Sequence, residues 1–533
     1  MTPEGLKREV DIDRSQSVAP DTGKKINTLI VVLLVIAIGG LIADRMIPES
    51  SVDTEGAADD VVDAPLSDAG EMADTGSLPA EAEDSSAPPE KSIGDAVAIT
   101  SVRILDVVAG RIVPDQTVVV VDGLIVSVGA AGETQIPEGA RRIEGNDRVL
   151  APGLADMHAH LGFNYDMGLP ISEHELAVYL AHGVTSILSQ GDFGSPIGAR
   201  ITGLAQDVDD GVLDGAALYT AAYVRGPNDG RDFQEVETEA DGRAVVAASQ
   251  AAGYDFIKVY HTVPEPAFRG VVAEARARGM GIIAHPILGL TLAENLEIGI
   301  DLIAHSESYT YSQFNNEIVP EQLSDAVDVT REYQPWIATT LLLEDLVLAI
   351  ATGGDEAIES FMARPETRFV HPLVQEGWRE RHFPRWQDPS RSVEHYRDTA
   401  QFIIEIFQAL YASDARYLLG TDGPIVASVP GINVHQEMTY LTKLGASPRD
   451  VIRMATLNPG MFLAEHGVID KPQGQVTVGS QADLVLLRGN PLDALEHYQA
   501  IDFVFSDGRV YDRVALDALL DAAAAANASA GEN

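Results

Sequence analysis

The chain has 533 residues, of which 45% are hydrophobic, so it is long enough for one large globular domain with attached segments. Its formal net charge of −45 argues against a nucleic-acid-binding surface, which would have to be basic. Because cysteine is absent, disulfides, thiol nucleophiles, cysteine-ligated zinc and a lipid-modified N-terminal cysteine are excluded.

The first predicted element is a membrane anchor near the N-terminus. Residues 26–43 form one uncharged, mainly apolar run that would extend roughly 27 Å as a helix, just enough for a bilayer core. Five basic residues precede the run, and after Arg45 the next basic residue is Lys91. This asymmetry predicts a single-pass anchor at 26–46 in the inner (cytoplasmic) membrane, with residues 1–25 in the cytoplasm and the rest periplasmic or extracellular. A cleavable signal peptide is the alternative.

The segment that follows has the composition of a flexible tether. Residues 47–95 are rich in Asp, Glu, Ala, Ser and Pro and contain one basic residue. Such a segment buries too little apolar surface to offset its chain entropy, so we predict a disordered acidic linker. At the other end, residues 515–533 are rich in alanine and predict a tail that begins as a short helix and then frays.

The remaining chain predicts an α/β fold with a small β-sandwich around a barrel. Residues 96–150 alternate apolar and polar side chains, with Asp122-Gly123 as a hairpin turn, and would form the first part of the sandwich. Residues 468–514 would form its second part. Between them, 151–467 alternates strand-like and helical segments, which predicts a (β/α)₈ TIM barrel. The strand-like runs are 186–189, 217–222, 256–260, 282–285, 302–305, 336–341 and 417–421.

One insertion in the barrel region is too long for a simple crossover. It covers about 344–414 and contains seven arginines and two of the three tryptophans of the chain. It could form a lid whose arginines bind an anionic substrate. The alternative is an ordinary surface subdomain whose arginines pair with neighbouring carboxylates.

Six residues suited to metal chemistry stand at the ends of apolar runs. Parallel barrel strands deliver such residues from their carboxyl ends to one common mouth. Four imidazoles, one amine and one carboxylate that converge there suggest a metal site. The first two histidines are two positions apart on a strand, so their side chains share a face. The six are His158, His160, Lys258, His285, His305 and Asp422.

With their flanking segments, these residues resemble the amidohydrolase superfamily of metal-dependent hydrolases, in particular its imidazolonepropionase-like and Xaa-Pro-dipeptidase-like branch. The resemblance covers about 97–512. Val-Leu-Ala-Pro-Gly-Leu-Ala-Asp-Met-His-Ala-His at 149–160 is similar to the family's first-strand motif. Ala-Thr-Leu-Asn-Pro-Gly at 455–460 and Gly-Ser-Gln-Ala-Asp-Leu-Val-Leu-Leu at 479–487 resemble the family's return from barrel to sandwich.

The resemblance implies two divalent metal ions, zinc by preference, that share a bridging water. His158 and His160 would hold the first ion, and His285 and His305 would hold the second. Lys258 would be carboxylated by carbon dioxide and would bridge both ions.

The implied catalytic residue is Asp422, which would ligate the first ion, take a proton from the bridging water and return it to the leaving amine. Tyr260 and His261, which directly follow the lysine strand, are candidate substrate contacts, although local packing is an equal alternative for Tyr260. Arg225 is a further candidate. His435 could support the site from behind or simply pack.

The predicted function is a membrane-anchored, extracytoplasmic hydrolase that uses a metal-activated hydroxide to cleave C–N amide bonds in dipeptides or N-acyl amino acids. A cyclic amidase or a lactonase could use the same centre, and a catalytically silent, tethered binding protein is an alternative of another class. The predicted partners are a small amide or peptide substrate and the membrane. A homo-oligomer is compatible with the sequence, and no nucleic-acid partner is expected.

Overall fold

The computed structural model describes residues 96–161, 173–192, 197–227, 234–388, 390–425 and 427–531. The predicted cytoplasmic segment, membrane anchor and acidic linker lie outside these ranges. Within them, no helix combines the length and the apolar character needed to cross a bilayer.

The strands, numbered in chain order over the described ranges, are β1 (Val97–Asp106), β2 (Arg111–Val121), β3 (Leu124–Ala130), β4 (Arg141–Glu144), β5 (Val149–Pro152), β6 (Leu154–Ala159), β7 (Val184–Asp192), β8 (Ala217–Arg225), β9 (Gln234–Glu235), β10 (Phe256–Val259), β11 (Gly281–Ala284), β12 (Leu302–Ile303), β13 (Trp336–Ala338), β14 (Arg416–Leu418), β15 (Leu484–Leu487), β16 (Ile501–Ser506) and β17 (Arg509–Asp512).

The α-helices of the same ranges are α1 (Glu173–Ala181), α2 (Ile197–Asp209), α3 (Glu239–Ala251), α4 (Glu265–Arg278), α5 (Leu292–Ile298), α6 (Ser308–Ser312), α7 (Leu323–Tyr333), α8 (Leu342–Met362), α9 (Pro372–Gly377), α10 (Phe383–Arg385), α11 (Val393–Tyr411), α12 (Ile432–Lys443), α13 (Pro448–Met454), α14 (Leu457–Glu465) and α15 (Arg513–Ala530). Shorter 3₁₀ turns lie at Pro320–Gln322, Pro365–Phe369 and Leu495–Gln499, and a π-helical turn lies at Trp378–His382.

Local sequence explains several helix ends. Thr238 and Thr291 each form a capping box, in which the threonine and the acidic residue three positions later satisfy each other's backbone N–H groups. Helix α4 ends at Gly279, whose φ of 74° is the left-handed conformation that glycine adopts without strain.

Strands from both sides of the barrel join in one eight-stranded sheet. Its order is β17-β16-β15-β5-β1-β2-β3, and β4 pairs with β1. The predicted hairpin turn is present, because β2 and β3 are joined through Asp122 and Gly123, both with positive φ. Antiparallel pairing of β15 with β5 places Leu486 opposite Leu150, so early and late segments share one hydrophobic core.

The predicted parallel barrel is confirmed. Its strand order is β6-β7-β8-β10-β11-β12-β13-β14, and each adjacent pair is parallel. Backbone hydrogen bonds from Met157 N to Leu419 O (2.9 Å) and from His160 N to Gly423 O (2.7 Å) join the first strand to the chain beyond the eighth. The ends of the strand sequence therefore meet.

Apolar side chains fill the barrel beneath the strand ends. Phe256 stands two residues before Lys258 on β10, so both side chains point to the same face of the strand. Phe256 packs with Met157, Ile283 and Leu418 in a buried cluster. This cluster forms a dry floor under the polar residues that follow it.

The segment between β13 and β14 folds mainly as helices around its own core. Helix α8 bends at Gly354, and buried residues that include Phe361 and Trp378 pack together. The C-terminal segment was predicted to begin as a short helix and then fray. Instead, α15 runs as one helix from Arg513 to Ala530. Its Leu516 and Ala523 are fully buried, and this packing stabilises a helix that composition alone would leave marginal.

Candidate metal centre

Three of the predicted residues, His158, His160 and Asp422, meet where the first and eighth barrel strands adjoin. His160 Nε2 lies 2.8 Å from Asp422 Oδ1, within hydrogen-bond geometry. His158 Nε2 lies 3.3 Å from the same oxygen but lacks that geometry. Asp422 follows β14 in a turn where its φ is 56°. Closure of the barrel thus brings His158 and His160, at the end of the first strand, next to the carboxylate of Asp422, which follows the eighth strand.

The other two predicted histidines extend this cluster along neighbouring strands. The ring centroids of His305 and His158 lie 4.4 Å apart, and those of His285 and His305 lie 4.8 Å apart. The ligand atoms of His158, His305 and Asp422 all lie within 4.8 Å of one another, an arrangement that could hold a metal ion.

The orientation of the imidazole rings suits metal ligation. His158 donates its Nδ1–H to the Ala304 carbonyl at 2.7 Å, which leaves the Nε2 lone pair for a ligand. That Nε2 and the Nδ1 of His285 are buried and meet no hydrogen-bond partner in the described part of the chain. His305 Nδ1 lies 3.1 Å from the Thr340 hydroxyl. A divalent cation would satisfy such buried lone pairs, so these residues fit a metal.

Burial keeps three histidines of the cluster, His158, His285 and His305, neutral. Burial and, next, the charge of Lys258 hold the pKa of both His158 and His285 well below the usual value. For His305, burial outweighs the opposing effect of Asp422 and lowers the pKa to about 3. Because a neutral imidazole is the form that binds metals, these histidines can act as ligands without first losing a proton.

Lys258 lies in the same buried cluster. It is fully buried, and its Nζ donates to Gln190 Oε1 at 2.7 Å, while Gln190 Nε2 donates to the Met157 carbonyl at 2.6 Å. Burial lowers the pKa of Lys258 to about 7, although Asp422 opposes this shift. A substantial fraction of the amine is therefore uncharged at neutral pH, which is the form that can react with carbon dioxide. Nothing in the sequence around Gln190 marks it as the lysine's partner.

Asp422 stays ionised in spite of its burial. Burial alone would raise its pKa, but His305, the hydrogen bond from His160 and the charge of Lys258 together lower it below the usual value. The resulting carboxylate can ligate a cation and can accept a proton.

A second buried carboxylate, Asp156, supports the site and escaped the sequence analysis. Its Oδ1 accepts from the backbone N–H groups of His158 (3.2 Å) and Thr421 (3.1 Å), and its Oδ2 accepts from the Thr421 hydroxyl (2.5 Å). Burial raises the pKa of Asp156 to about 7. Asp156 thereby ties the first strand to the turn that carries Asp422. An acidic residue inside an apolar strand, two positions before a ligand, was the signal that could have revealed it.

The three candidate substrate residues lie together beside His285. The guanidinium carbon of Arg225 lies 4.2 Å from the centre of the Tyr260 ring, and this arginine is only 4% exposed. The Tyr260 ring centre is 4.0 Å from that of His261 and 4.8 Å from that of His285. Burial, with smaller effects of Arg225 and Arg385, lowers the pKa of His261 to about 4. The group combines a fixed cation with aromatic and imidazole surfaces.

The insertion contains arginines that form surface ion pairs and an arginine that lies near the cluster. Arg379 pairs with Glu359 at 3.1 Å on the surface, as expected of an ordinary subdomain. Arg385 differs, because its charge acts on both His261 and Glu307, so it lies near the cluster.

Two further carboxyl groups face this region. Glu307, two residues after His305, hydrogen-bonds with Glu344 in the first turn of α8. Burial and their mutual repulsion raise the pKa of Glu344 well above the usual value. The pair therefore holds a proton that isolated carboxylates would lose. Glu307 stands in a polar stretch and Glu344 follows three leucines, and neither position was predicted to lie at the site.

His435 packs and does not join the cluster. Its Nε2 donates to the His182 carbonyl at 2.8 Å, and burial lowers its pKa to about 4. This contact favours the packing interpretation over support of a metal ligand.

Comparison with known proteins agrees with the fold. Residues 391–513 match the Amidohydrolase family. An ochratoxinase from Aspergillus niger is 20% identical over 459 residues, which cover 77% of this chain and 87% of that protein. The structure is similar to that of a bottromycin amidohydrolase, with a TM-score of 0.62, 22% identity and coverage of 83% of this chain and 91% of the other. A Xaa-Pro dipeptidase with bound methionine gives a TM-score of 0.57 at 19% identity, with 78% and 100% covered.

Proposed function

We propose that the chain is a hydrolase of the amidohydrolase superfamily that cleaves amide bonds in dipeptides or N-acyl amino acids at a centre of two divalent metal ions. The observation that carries this proposal is the buried cluster of four histidines with Lys258 and Asp422.

The proposed ligand sets are those that the family resemblance implies. His158 and His160 would hold one ion, His285 and His305 would hold the other, and a carboxylated Lys258 would lie between them. We propose zinc, because imidazole and carboxylate ligands suit it. When bound, the ions would polarise the substrate carbonyl and lower the pKa of a water to about 7.

In this proposal Asp422 moves the proton. Its carboxylate accepts a proton from the attacking water as the new C–O bond forms, and it donates that proton to the nitrogen as the C–N bond breaks. The carboxylate is ionised and 2.8 Å from His160, so it is both charged and fixed before the substrate binds.

The proposed substrate class rests on the cation beside the cluster. Dipeptides and N-acyl amino acids end in a carboxylate, which an arginine fork binds through two parallel hydrogen bonds. Arg225 is stacked on Tyr260 close to His285, so it stands near the reacting bond. The similarity to a Xaa-Pro dipeptidase supports this choice.

A metal and substrate assay tests the proposal. Full-length protein would be stripped of metal, reloaded with Zn²⁺ and supplied with dipeptides, N-acyl amino acids and lactones. We expect two ions per chain and metal-dependent release of amines from the amide substrates. One ion or none in active protein would contradict the binuclear centre. Turnover of lactones alone would replace the amide proposal with a ring-opening activity.

We also propose that residues 26–46 anchor the hydrolase with its catalytic domain outside the cytoplasm, as the charge asymmetry of the sequence indicates. A reporter enzyme that is active only outside the cytoplasm, fused after residue 95, should be active. Strong activity of a reporter that works only in the cytoplasm, fused at the same junction, would reverse the proposed orientation.

A further inference from the structure

The insertion makes a direct polar contact with the turn that carries Asp422. Trp378 is 1% exposed, and its indole N–H donates to the Pro424 carbonyl at 2.6 Å. Pro424 is two residues beyond Asp422. In the parts of the chain that the structure describes, no second donor meets this carbonyl. The contact therefore satisfies a buried acceptor that would otherwise be costly.

The indole is fixed from the insertion side as well. Trp378 packs in a buried apolar cluster with Val374 and Phe383, and the ring centroids of Trp378 and Phe383 lie 6.5 Å apart. It also begins the π-helical turn Trp378–His382, a rare widening of the helix that often occurs at functional sites. A side chain held this firmly can hold its hydrogen-bond partner in place.

The turn on the other side of the contact needs such support. Asp422 has a φ of 56°, which is uncommon for a residue other than glycine and persists only where its surroundings enforce it. On the barrel side, Asp422 N donates to the His158 carbonyl at 2.7 Å. Within the turn, Ile425 N meets the Asp422 carbonyl at a long 3.3 Å. The barrel thus holds one end of the turn tightly, and the Trp378 contact holds the other.

We propose that Trp378 is a positioning residue that braces the Asp422 turn, so that the insertion sets the place of the proposed proton acceptor. This inference rests on the proposed function for its catalytic consequence, and its structural consequence can be tested separately. His382, in the same π-helical turn, lies near enough to Asp422 for that carboxylate to influence it, which supports the close approach of the two segments.

The test removes one N–H group and leaves the shape of the ring. Trp378 in the full-length, zinc-loaded protein would be replaced site-specifically by β-(3-benzothienyl)alanine, which has sulfur in place of the indole N–H. The matched control places the same analogue at Trp386, which belongs to the insertion but packs near Tyr396. Trp378→Phe is a second variant with natural amino acids.

We expect the analogue at position 378 to lower kcat at least about tenfold with KM within about twofold of the wild type, because the proton acceptor is misplaced while substrate contacts remain. Hydrogen exchange of the backbone amides in 422–425 should accelerate at least about tenfold. The control should change neither quantity.

Unchanged exchange in 422–425, or equal effects at the two tryptophans, would overturn the brace. The exchange measurement needs no substrate. If the wild type hydrolyses none of the proposed amides, the proposed function fails while the exchange result still decides the role of Trp378.

Discussion

At the scale of single residues, the site favours the uncharged form of Lys258 and the charged form of Asp422. Burial lowers the lysine pKa to about 7 and so favours the neutral amine, whereas the surrounding histidines and the lysine keep the aspartate ionised. A neutral amine is prepared for carboxylation, and an ionised carboxylate is prepared for proton transfer. Replacement of the two residues should therefore have different effects on zinc binding and on activity.

Asp422→Asn should bind zinc nearly normally but lower kcat by about 10²- to 10⁴-fold, because the amide keeps one ligating oxygen and cannot accept the proton. Lys258→Ala should lose both zinc and activity, since the bridge itself is absent, and small carboxylic acids should restore part of both. Metal content and steady-state rates on one verified substrate measure these effects. Near-wild-type turnover by Asp422→Asn would move the proton acceptor to another residue, with His261 the first to test.

The prediction for Gly191 depends on the space around the His160 ring and not on charge. A Cβ atom at this position would lie 2.1 Å from His160 Nδ1, so Gly191→Ala must displace the imidazole. We expect weaker zinc binding and lower activity. Gly203→Ala is the matched control, because its added Cβ would meet no atom within 4 Å apart from its chain neighbours and the backbone of its own helix. Zinc titration of both variants measures the difference, and equal affinities would show that the His160 ring yields without consequence.

At the scale of elements, Glu437 on α12 fixes the beginning of α8. Its Oε1 accepts from Leu341 N at 3.0 Å and its Oε2 accepts from Leu342 N at 2.7 Å. Just before these amides stands Thr340, whose hydroxyl meets His305. One buried carboxylate therefore satisfies backbone N–H groups at a helix start and steadies the residue that orients a proposed ligand.

The titration of Glu437 should change how the free energy of unfolding depends on pH. Burial raises the pKa of Glu437 from 4.5 to about 7, although hydrogen bonds from Thr339, Leu341 and Leu342 oppose the shift. Between these values the folded protein holds a proton that the unfolded chain has lost, so the contribution of Glu437 to the free energy of unfolding falls as pH rises. Relative to wild type, Glu437→Gln should gain on the order of 3 kcal/mol between pH 4.5 and 7.

Denaturant unfolding across that pH range measures this difference. Glu359→Gln, which alters an exposed carboxylate of the insertion, is the control and should follow the wild type. A constant difference between Glu437→Gln and wild type would show that Glu437 does not titrate in this window.

The same elements show what the sequence could predict. The six candidate metal-site residues could be predicted because each follows an apolar run, and a parallel barrel gathers such positions at one end. The contacts of Glu437, Gln190 and Trp378 were not predicted, because their hydrogen bonds join segments that are distant in the chain. No local periodicity encodes such contacts. The parallel barrel was confirmed and residues 391–513 match the Amidohydrolase family, whereas the membrane anchor stays a prediction.

At the scale of the whole molecule, the strands of both sheets lie within 97–512. A protein that begins at residue 96 should therefore fold, bind zinc and unfold at nearly the same temperature as the full chain. Thermal unfolding and zinc content of the two proteins measure this. Loss of zinc or a clearly lower Tm in the shorter protein would mean that residues 1–95 contribute to the stability of the core.

The pairing of β5 with β15 also affects how the chain folds while the ribosome synthesises it. Strand β5 is fully buried in the finished sheet, between β1 and β15, yet β15 is synthesised only after the whole barrel. At ordinary elongation rates this delay is roughly tens of seconds. During that time one edge of β5 has no partner strand, and an unpaired apolar edge is a template for aggregation. Chaperone supply and translation speed, more than equilibrium stability, should then decide the yield of native protein in a cell.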